Sequence, residues 1–228
     1  MMAVYTPEEM VSITLDNVGK QYNSDWIFSG ISCELSPENP TVIIGSNGSG
    51  KSTLLQVILS SGTPTIGEVK YVKDGTAIAP ENAFRLMSIS APYIELIEEF
   101  SMLEMLDFHK RLKPFINNLS ANEITAICRL EKSRNKLIRN FSSGMKQRVK
   151  LAIAILSDTP VVLLDEPSSN LDQSGIEWYN ELITQHIKGR TVVVSSNSLS
   201  YEFAFCKQQI NLEDYKKIPV VDPSLLLF

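Results

Sequence analysis

The sequence predicts an α/β fold whose core sheet is mostly parallel. Two observations carry that class. Apolar runs, "TVIIG", "VVLLD" and "RTVVVSS", are separated by helix-period segments, the pattern of a parallel sheet covered on both faces. The turn "GSNGSGKS" joins the first of those runs directly to a helix. In chain order, "SITLDNV" and "WIFSGISCEL" read as strands, rich in β-branched and aromatic residues and bounded by Asn, Gly, Ser or Pro. "TVIIG" is the next strand, and "KSTLLQVILSSG" is a helix closed by a glycine. A strand pair follows around "GEVKYV" and "GTAIA", suggested by Gly67 and Gly75. From about Ser101 to Asn140 the pattern turns helical: Met102, Met105, Leu106 and His109 fall at helix spacing, and Pro114 and the "NNLS" turn break the run into short pieces. Then "SGMKQRVKLAIAILS" reads as a helix, "VVLLD" as a buried strand, Gln173 to Lys188 as a helix and "RTVVVSS" as a second buried strand.

With 228 residues and 43% apolar content, the chain suits one domain, or one domain with a subdomain, around a sizeable core. The net charge of −5 supplies no basic excess to neutralise a phosphate backbone, so no nucleic-acid partner is expected. The basic stretch Arg129 to Arg139, "RLEKSRNKLIR", alternates charge with apolar residues and is expected to be the solvated face of a helix. Cys33, Cys128 and Cys206 have no metal-ligand spacing and are read as reduced packing residues of a cytosolic protein. The start "MMAVYTPEEM" lacks the pattern of a signal peptide, and no window approaches the roughly 18 apolar residues that span a bilayer. Any membrane span is expected to come from another chain.

"GSNGSGKS" matches G-x-x-x-x-G-K-[ST] between a strand and a helix, the context that phosphate-binding loop requires. Gly45, Gly48 and Gly50 let the loop curl, so that the backbone N–H groups of Gly45, Ser46, Asn47, Gly48, Ser49, Gly50, Lys51, Ser52 and Thr53 and the helix N-terminus can face phosphate. Lys51 would reach the β- and γ-phosphates, and the Ser52 hydroxyl is placed for Mg²⁺. Far downstream, "VVLLDEP" sets an acidic pair at the end of a buried strand, the edge where ligands sit in open parallel sheets. Asp165 suits Mg²⁺, and Glu166 suits the orientation and deprotonation of an attacking water. Together these motifs describe a nucleotide hydrolase.

Between them, "FSSGMKQRVKLA" resembles the signature segment of ATP-binding-cassette ATPases, written LSGGQ: Ser142 and Gly144 match, while Ser143 and Met145 depart. The resemblance extends from Val11 to about Gln209. It implies a P-loop NTPase core with a mostly parallel sheet, an N-terminal antiparallel β subdomain and a short α-helical subdomain. The chain 1–228 would then be a single cassette, with an ATP-binding core at about 11–90 and 155–215 and a helical subdomain at about 91–154. By the same resemblance, Ser142 and Gly144 touch the γ-phosphate of ATP on the other subunit. Tyr22 stands where an aromatic stacks on adenine, although a strand-end packing role fits it equally. "SNLD", Ser169 to Asp172, matches the segment that crosses the dimer interface.

The match is uneven at two stations. Pro92 stands where the family places a glutamine that serves the metal and the water, so that contact must come from water, backbone or Glu95. Asn197, at the end of "TVVVSSN", stands where the family has a histidine that contacts the γ-phosphate and holds the catalytic glutamate. The chain's two histidines, His109 and His186, are at other stations and are read as surface or core side chains. An asparagine amide can donate to phosphate but cannot exchange a proton near neutral pH. Two readings stay open: a motor in which Glu166, Lys51 and Asn197 are catalytic, or an ATP-gated dimerisation subunit that hydrolyses slowly. The retained Glu166 favours the motor.

A cassette of this kind resembles the separately encoded ATP-binding subunit of a transporter, and "SSGMKQR" is similar to exporter signatures. The resemblance implies ATP and Mg²⁺ as cofactors, a head-to-tail homodimer or a heterodimer with another such subunit, and a transmembrane permease partner. The chain would lie in the cytoplasm, on the inner face of the membrane. "PYIELIEEF" either forms the groove for a permease helix, with Tyr93, Ile94, Leu96, Ile97 and Phe100 as apolar surface, or packs as a short core helix. The alternative, a non-transport cassette of translation or repair, would be expected to carry a second cassette or long coiled-coil insertions.

Overall fold

A computed structural model describes residues 10–216. The tail "IPVVDPSLLLF", expected to pack on the domain or on a second subunit, lies outside the described residues.

An antiparallel sheet contains β1 (Val11–Tyr22), β2 (Asp25–Leu35), β4 (Ile66–Lys73) and β5 (Thr76–Ile78), in the order β2-β1-β4-β5. A second sheet is parallel throughout: β6 (Met87–Ser90), β7 (Val161–Asp165), β8 (Thr191–Ser196), β3 (Thr41–Ile44) and β9 (Gln208–Asn211), in that spatial order. The helices are α1 (Lys51–Ile58), the single turn α2 (Pro80–Ala83), α3 (Met102–Leu112), α4 (Ala121–Ile127), α5 (Ser143–Leu156) and α6 (Gln173–His186). β3, β7 and β8 lie side by side in the interior of the parallel sheet, so their C-terminal ends bring "GSNGSGKS", Asp165–Glu166 and Asn197 to one edge.

β7 and β8 are buried at every position, which explains their continuous apolar character. Val162, Leu164, Val192 and Val194 point into a core shared with α3, α4, α5 and α6. Val161, Leu163 and Val193 point the other way, into a core shared with α1 and the antiparallel strands. Each such side chain contributes about 1.5–3 kcal/mol by leaving water. The edge strands β6, "MSIS", and β9, "QQIN", carry no comparable apolar run: β6 buries Ser88 and Ser90, the first hydrogen-bonded to Thr159 Oγ1 and Val161 O, and β9 buries only Ile210.

The helical middle is set by its caps. Ser101 and Glu104 form a reciprocal capping box at α3, as do Ser120 and Glu123 at α4. The stretch expected to be one solvated helix, Arg129 to Arg139, instead forms two short 3₁₀ turns at Glu131–Ser133 and Ile138–Asn140, with Ile138 buried. Arg129 takes a left-handed φ of 59° just beyond α4, which stops the helix there.

His109 of α3 is a packing residue. Its Nε2 lies 2.8 Å from Ser157 Oγ and its ring rests on Phe115 at 5.2 Å. Burial, with Lys113 adding to it, pushes the imidazole down to about 4. A base depressed in the fold is protonated first in the unfolded chain, so its neutral form stabilises the protein above the unfolded value of about 6.5. That stability is lost as pH falls from there toward 4. Urea unfolding at pH 7 and pH 5 should show wild type losing about 2 kcal/mol more than His109→Gln over that interval. Equal losses in the two proteins would remove His109 as the cause.

Candidate functional site

Gly48 and Gly50 adopt φ of 78° and 105° in the loop between β3 and α1. At Gly50 a Cβ would also fall 2.3 Å from Ile27 Cγ2, so both the backbone and the β2 wall require glycine there. α1 starts with no side-chain cap and no acidic residue in its first turn, leaving a helix N-terminus suited to an anion. A cleft of about 220 Å³ opens at this point, lined by Asn47, Gly48, Gly50, Lys51, Ser52, Thr53, Ile27 and Glu166. Gly45, Ser46 and Ser49 sit behind it: the Lys51 ammonium donates to Gly45 O and Ser46 O, both at 3.0 Å, and Ser49 N donates to Ser46 O.

The acidic pair sits at the end of β7. Asp165 is 2% exposed; its Oδ1 accepts from Ser195 Oγ, and its Oδ2 is buried with no hydrogen-bond partner among the described residues. A buried, unpartnered carboxylate oxygen is costly unless a cation completes it, and Mg²⁺ fits that requirement. Among the described residues no cluster of three or more His, Cys, Asp or Glu could hold a metal, so such an ion would draw most of its ligands from phosphate and water. Glu166 takes a left-handed φ of 47°, held by Glu166 N donating to Ser195 O at 3.0 Å and by Ser169 N donating to Glu166 O at 3.0 Å. A non-glycine residue in that conformation costs of order 1 kcal/mol or more and aims the carboxylate into the cleft.

Asn197 joins the two halves. Its Oδ1 accepts from Lys51 Nζ at 2.5 Å and its Nδ2 donates to Glu166 Oε1 at 2.8 Å. An ammonium can only donate and a carboxylate can only accept, so the amide meets both with its two ends.

The other expected site residues are placed as follows. Tyr22 is at the tip of the β1–β2 hairpin, half exposed and outside the cleft lining, with Lys20 Nζ 4.8 Å over its ring. Ser142 caps α5 by accepting from Met145 N, and Gly144 lies so near Asn170 O that a Cβ would be 3.0 Å from it. Both line a separate hollow with Arg148, Leu171 and Asp172. Pro92 is exposed, and its carbonyl accepts from Lys150 at 3.4 Å. Glu95 lies by Lys150, away from the phosphate loop. Tyr93 is nearer the acidic strand end: its phenol is pushed up first by burial and then by the Asp165 charge.

Two contacts had no sequence signal. Gln147 Nε2 donates to Pro167 O at 2.9 Å, tying α5 to the acidic turn. Glu213 Oε1 accepts from Ser46 N at 3.2 Å and from Ser46 Oγ at 2.6 Å, bracing the phosphate loop from behind. The Lys216 hydrogen bond first, and those of Ser46 next, pull Glu213 down to about 2.

A glycine loop opening a helix, a lysine inside it and an acidic pair at the same sheet edge, on the strand one removed, define a nucleotide-hydrolysing P-loop protein. A family profile described as ABC transporter matches residues 28–169. The chain belongs to the ABC transporter family, as an ATP-binding and ATP-hydrolysing cassette. It is 28% identical to ABC transporter I family member 1 of Arabidopsis thaliana, over 87% of this chain and 86% of that protein. It is 30% identical to the bacitracin transport ATP-binding protein BcrA of Enterococcus faecalis, over 82% of this chain and 62% of that one. In fold it is similar to a putative ABC transporter ATP-binding protein from Pyrococcus furiosus, with TM-score 0.76 and 22% identity over 90% of this chain and all of that one. A cassette dimer in a post-hydrolysis state with ADP and Pi gives TM-score 0.74 and 24% identity, covering 87% and 93% of the two chains.

Proposed function

We propose that this cassette powers export through a separate membrane permease, closing with a second cassette around ATP and reopening after hydrolysis. The observation that carries the catalytic part is the bridge Lys51–Asn197–Glu166, which joins the phosphate loop to the acidic strand end. On this reading Lys51 turns from Asn197 to the β- and γ-phosphates when ATP enters. Asn197 has a second Nδ2 hydrogen for the γ-phosphate while the first keeps Glu166 aimed. Glu166 orients the attacking water and takes its proton. Asp165 and Ser52 would hold Mg²⁺, which when bound neutralises charge on the phosphates. Ser142 and Gly144 serve ATP on the partner cassette, which is either a second copy or a different subunit, and Tyr22 stacks on adenine.

Export is supported by a relative named for it, the Nod factor export ATP-binding protein I of Burkholderia thailandensis, 25% identical over 94% of this chain. Among the described residues no helix is long and apolar enough to cross a membrane. A cytoplasmic place on the inner membrane face through the permease is part of the proposal, as is the division into an ATP-binding core, about 11–90 and 155–215, and a helical subdomain, about 91–154.

The docking face is a groove of about 340 Å³ lined by Phe84, Met87, Ile94, Leu96, Met105 and Ile153. Leu96 is buried, and Ile97 and Phe100 pack against the core, so Ile94 is the position that reports on docking. Ile94→Asp should leave ATP binding within about twofold and lower co-purification of the permease by tenfold or more, since a buried unpaired charge is strongly unfavourable at an interface. Parallel loss of both would mean core damage and no docking role.

A further inference from the structure

Glu202 belongs to none of the motifs above, yet it is 1% exposed and sits directly behind the bridge. Its Oε1 accepts from Ser168 N at 3.1 Å and from Ser168 Oγ, and its Oε2 accepts from Ser196 Oγ. Ser168 follows Glu166 by two positions, and Ser196 immediately precedes Asn197. Both serines are buried. The 3₁₀ turn Ser200–Glu202 is itself anchored, because Tyr179 OH of α6 donates to Glu202 O at 2.9 Å and Leu199 N donates to Ser196 Oγ at 3.2 Å.

These contacts close a ring. On the cleft side Asn197 Nδ2 meets Glu166 Oε1; on the buried side Glu202 ties the turn after Glu166 to the strand end before Asn197. A carboxylate taken out of water needs strong compensation, and an apolar side chain would fill the same space without that cost. What the carboxylate supplies is acceptors for donors arriving from two different segments. We propose that Glu202 is a positioning residue: it fixes the acidic turn relative to the Asn197 turn, so that Glu166 and Asn197 meet in the geometry needed for hydrolysis. The inference rests on the reading of Glu166 and Asn197 as the catalytic pair.

Steady-state ATP hydrolysis, ATP binding followed with a fluorescent ATP analogue, and thermal melting of the full chain test this. Glu202→Ala should lower kcat tenfold or more with KM for ATP within twofold. Glu202→Gln should recover to within about threefold of wild type, because the amide oxygen can still accept from Ser168 and the NH₂ can turn to Ser196 Oγ. Ser196→Ala added to Glu202→Ala should cause no further fall, since both cut the same tie. A folded Glu202→Ala protein with kcat within twofold of wild type overturns the proposal. So does a fall in kcat matched in every variant by an equal fall in ATP affinity. Where Glu202→Ala does not fold, Ser196→Ala decides: a fivefold or larger loss in kcat supports the tie and wild-type kcat overturns it. Glu166→Gln run alongside separates the two levels, because wild-type turnover in that variant sinks the catalytic pair itself. An inactive Glu166→Gln beside a fully active Glu202→Ala sinks only the positioning role.

Discussion

Glu166→Gln should lower kcat for ATP by about two to four orders of magnitude, the range that a positioned general base supplies, with ATP affinity within a few-fold of wild type. The geometry gives the reason. Glu166 lines the cleft in a left-handed conformation that its backbone bonds to Ser195 and Ser169 maintain, and its Oε1 accepts from Asn197. The amide of glutamine fits the same volume and can still accept from Asn197 Nδ2 through its oxygen, so the loop and its fold are retained. What disappears is the acceptor for the water proton. With binding intact and turnover stopped, the ATP-bound form should accumulate. On the proposed cycle, size-exclusion chromatography of Glu166→Gln with ATP and Mg²⁺ should therefore show a dimer that is absent without nucleotide. Retention of more than about a tenth of wild-type kcat would move the base elsewhere.

The parts of the fold legible in the sequence are those whose residues answer to local rules. "TVII", "VVLLD" and "TVVVSS" are apolar because both faces of the parallel sheet are covered, and the loop glycines follow from positive φ and the closeness of Ile27. The edge strands "MSIS" and "QQIN" escaped because β6 buries two serines and β9 buries only Ile210, so neither shows an apolar run. Arg190 gives another case: a single arginine before an apolar strand carries no local sign of burial. Yet it is 1% exposed, with its guanidinium donating to Thr159 O, Ile155 O and Ser157 O. The candidate site divides in the same way. Lys51, Asp165 and Glu166 announce themselves by spacing, whereas Glu202 and Glu213 act on residues 34 and 167 positions away in the chain. No local pattern encodes a partner at that distance. Asn197 was legible as a departure from the family, but its effect was not, because that depends on which groups flank the amide.

Those flanking groups decide the second large prediction. Asn197→Ala should lower kcat about 10²- to 10³-fold, the usual consequence of removing one preorganised transition-state donor, with a smaller effect on KM. Alanine removes the acceptor for Lys51 and the donor for Glu166 together, so Glu166 loses the contact that aims it and the γ-phosphate loses a donor. Asn197→Asp should be at least as damaging despite its near-identical shape, because a carboxylate would repel Glu166 and the phosphate alike. Asn197→His should stay within about threefold of wild type, since an imidazole held between a carboxylate and a phosphate can carry both ring protons and then offers the same two donors. Steady-state hydrolysis by the purified chain separates the two readings of this site. The order wild type and Asn197→His together, with Asn197→Ala and Asn197→Asp far below, means that asparagine serves a self-sufficient motor. A tenfold or greater gain in Asn197→His over a nearly inactive wild type means instead that asparagine slows the site, and that this cassette acts as an ATP-gated subunit whose turnover depends on its partner.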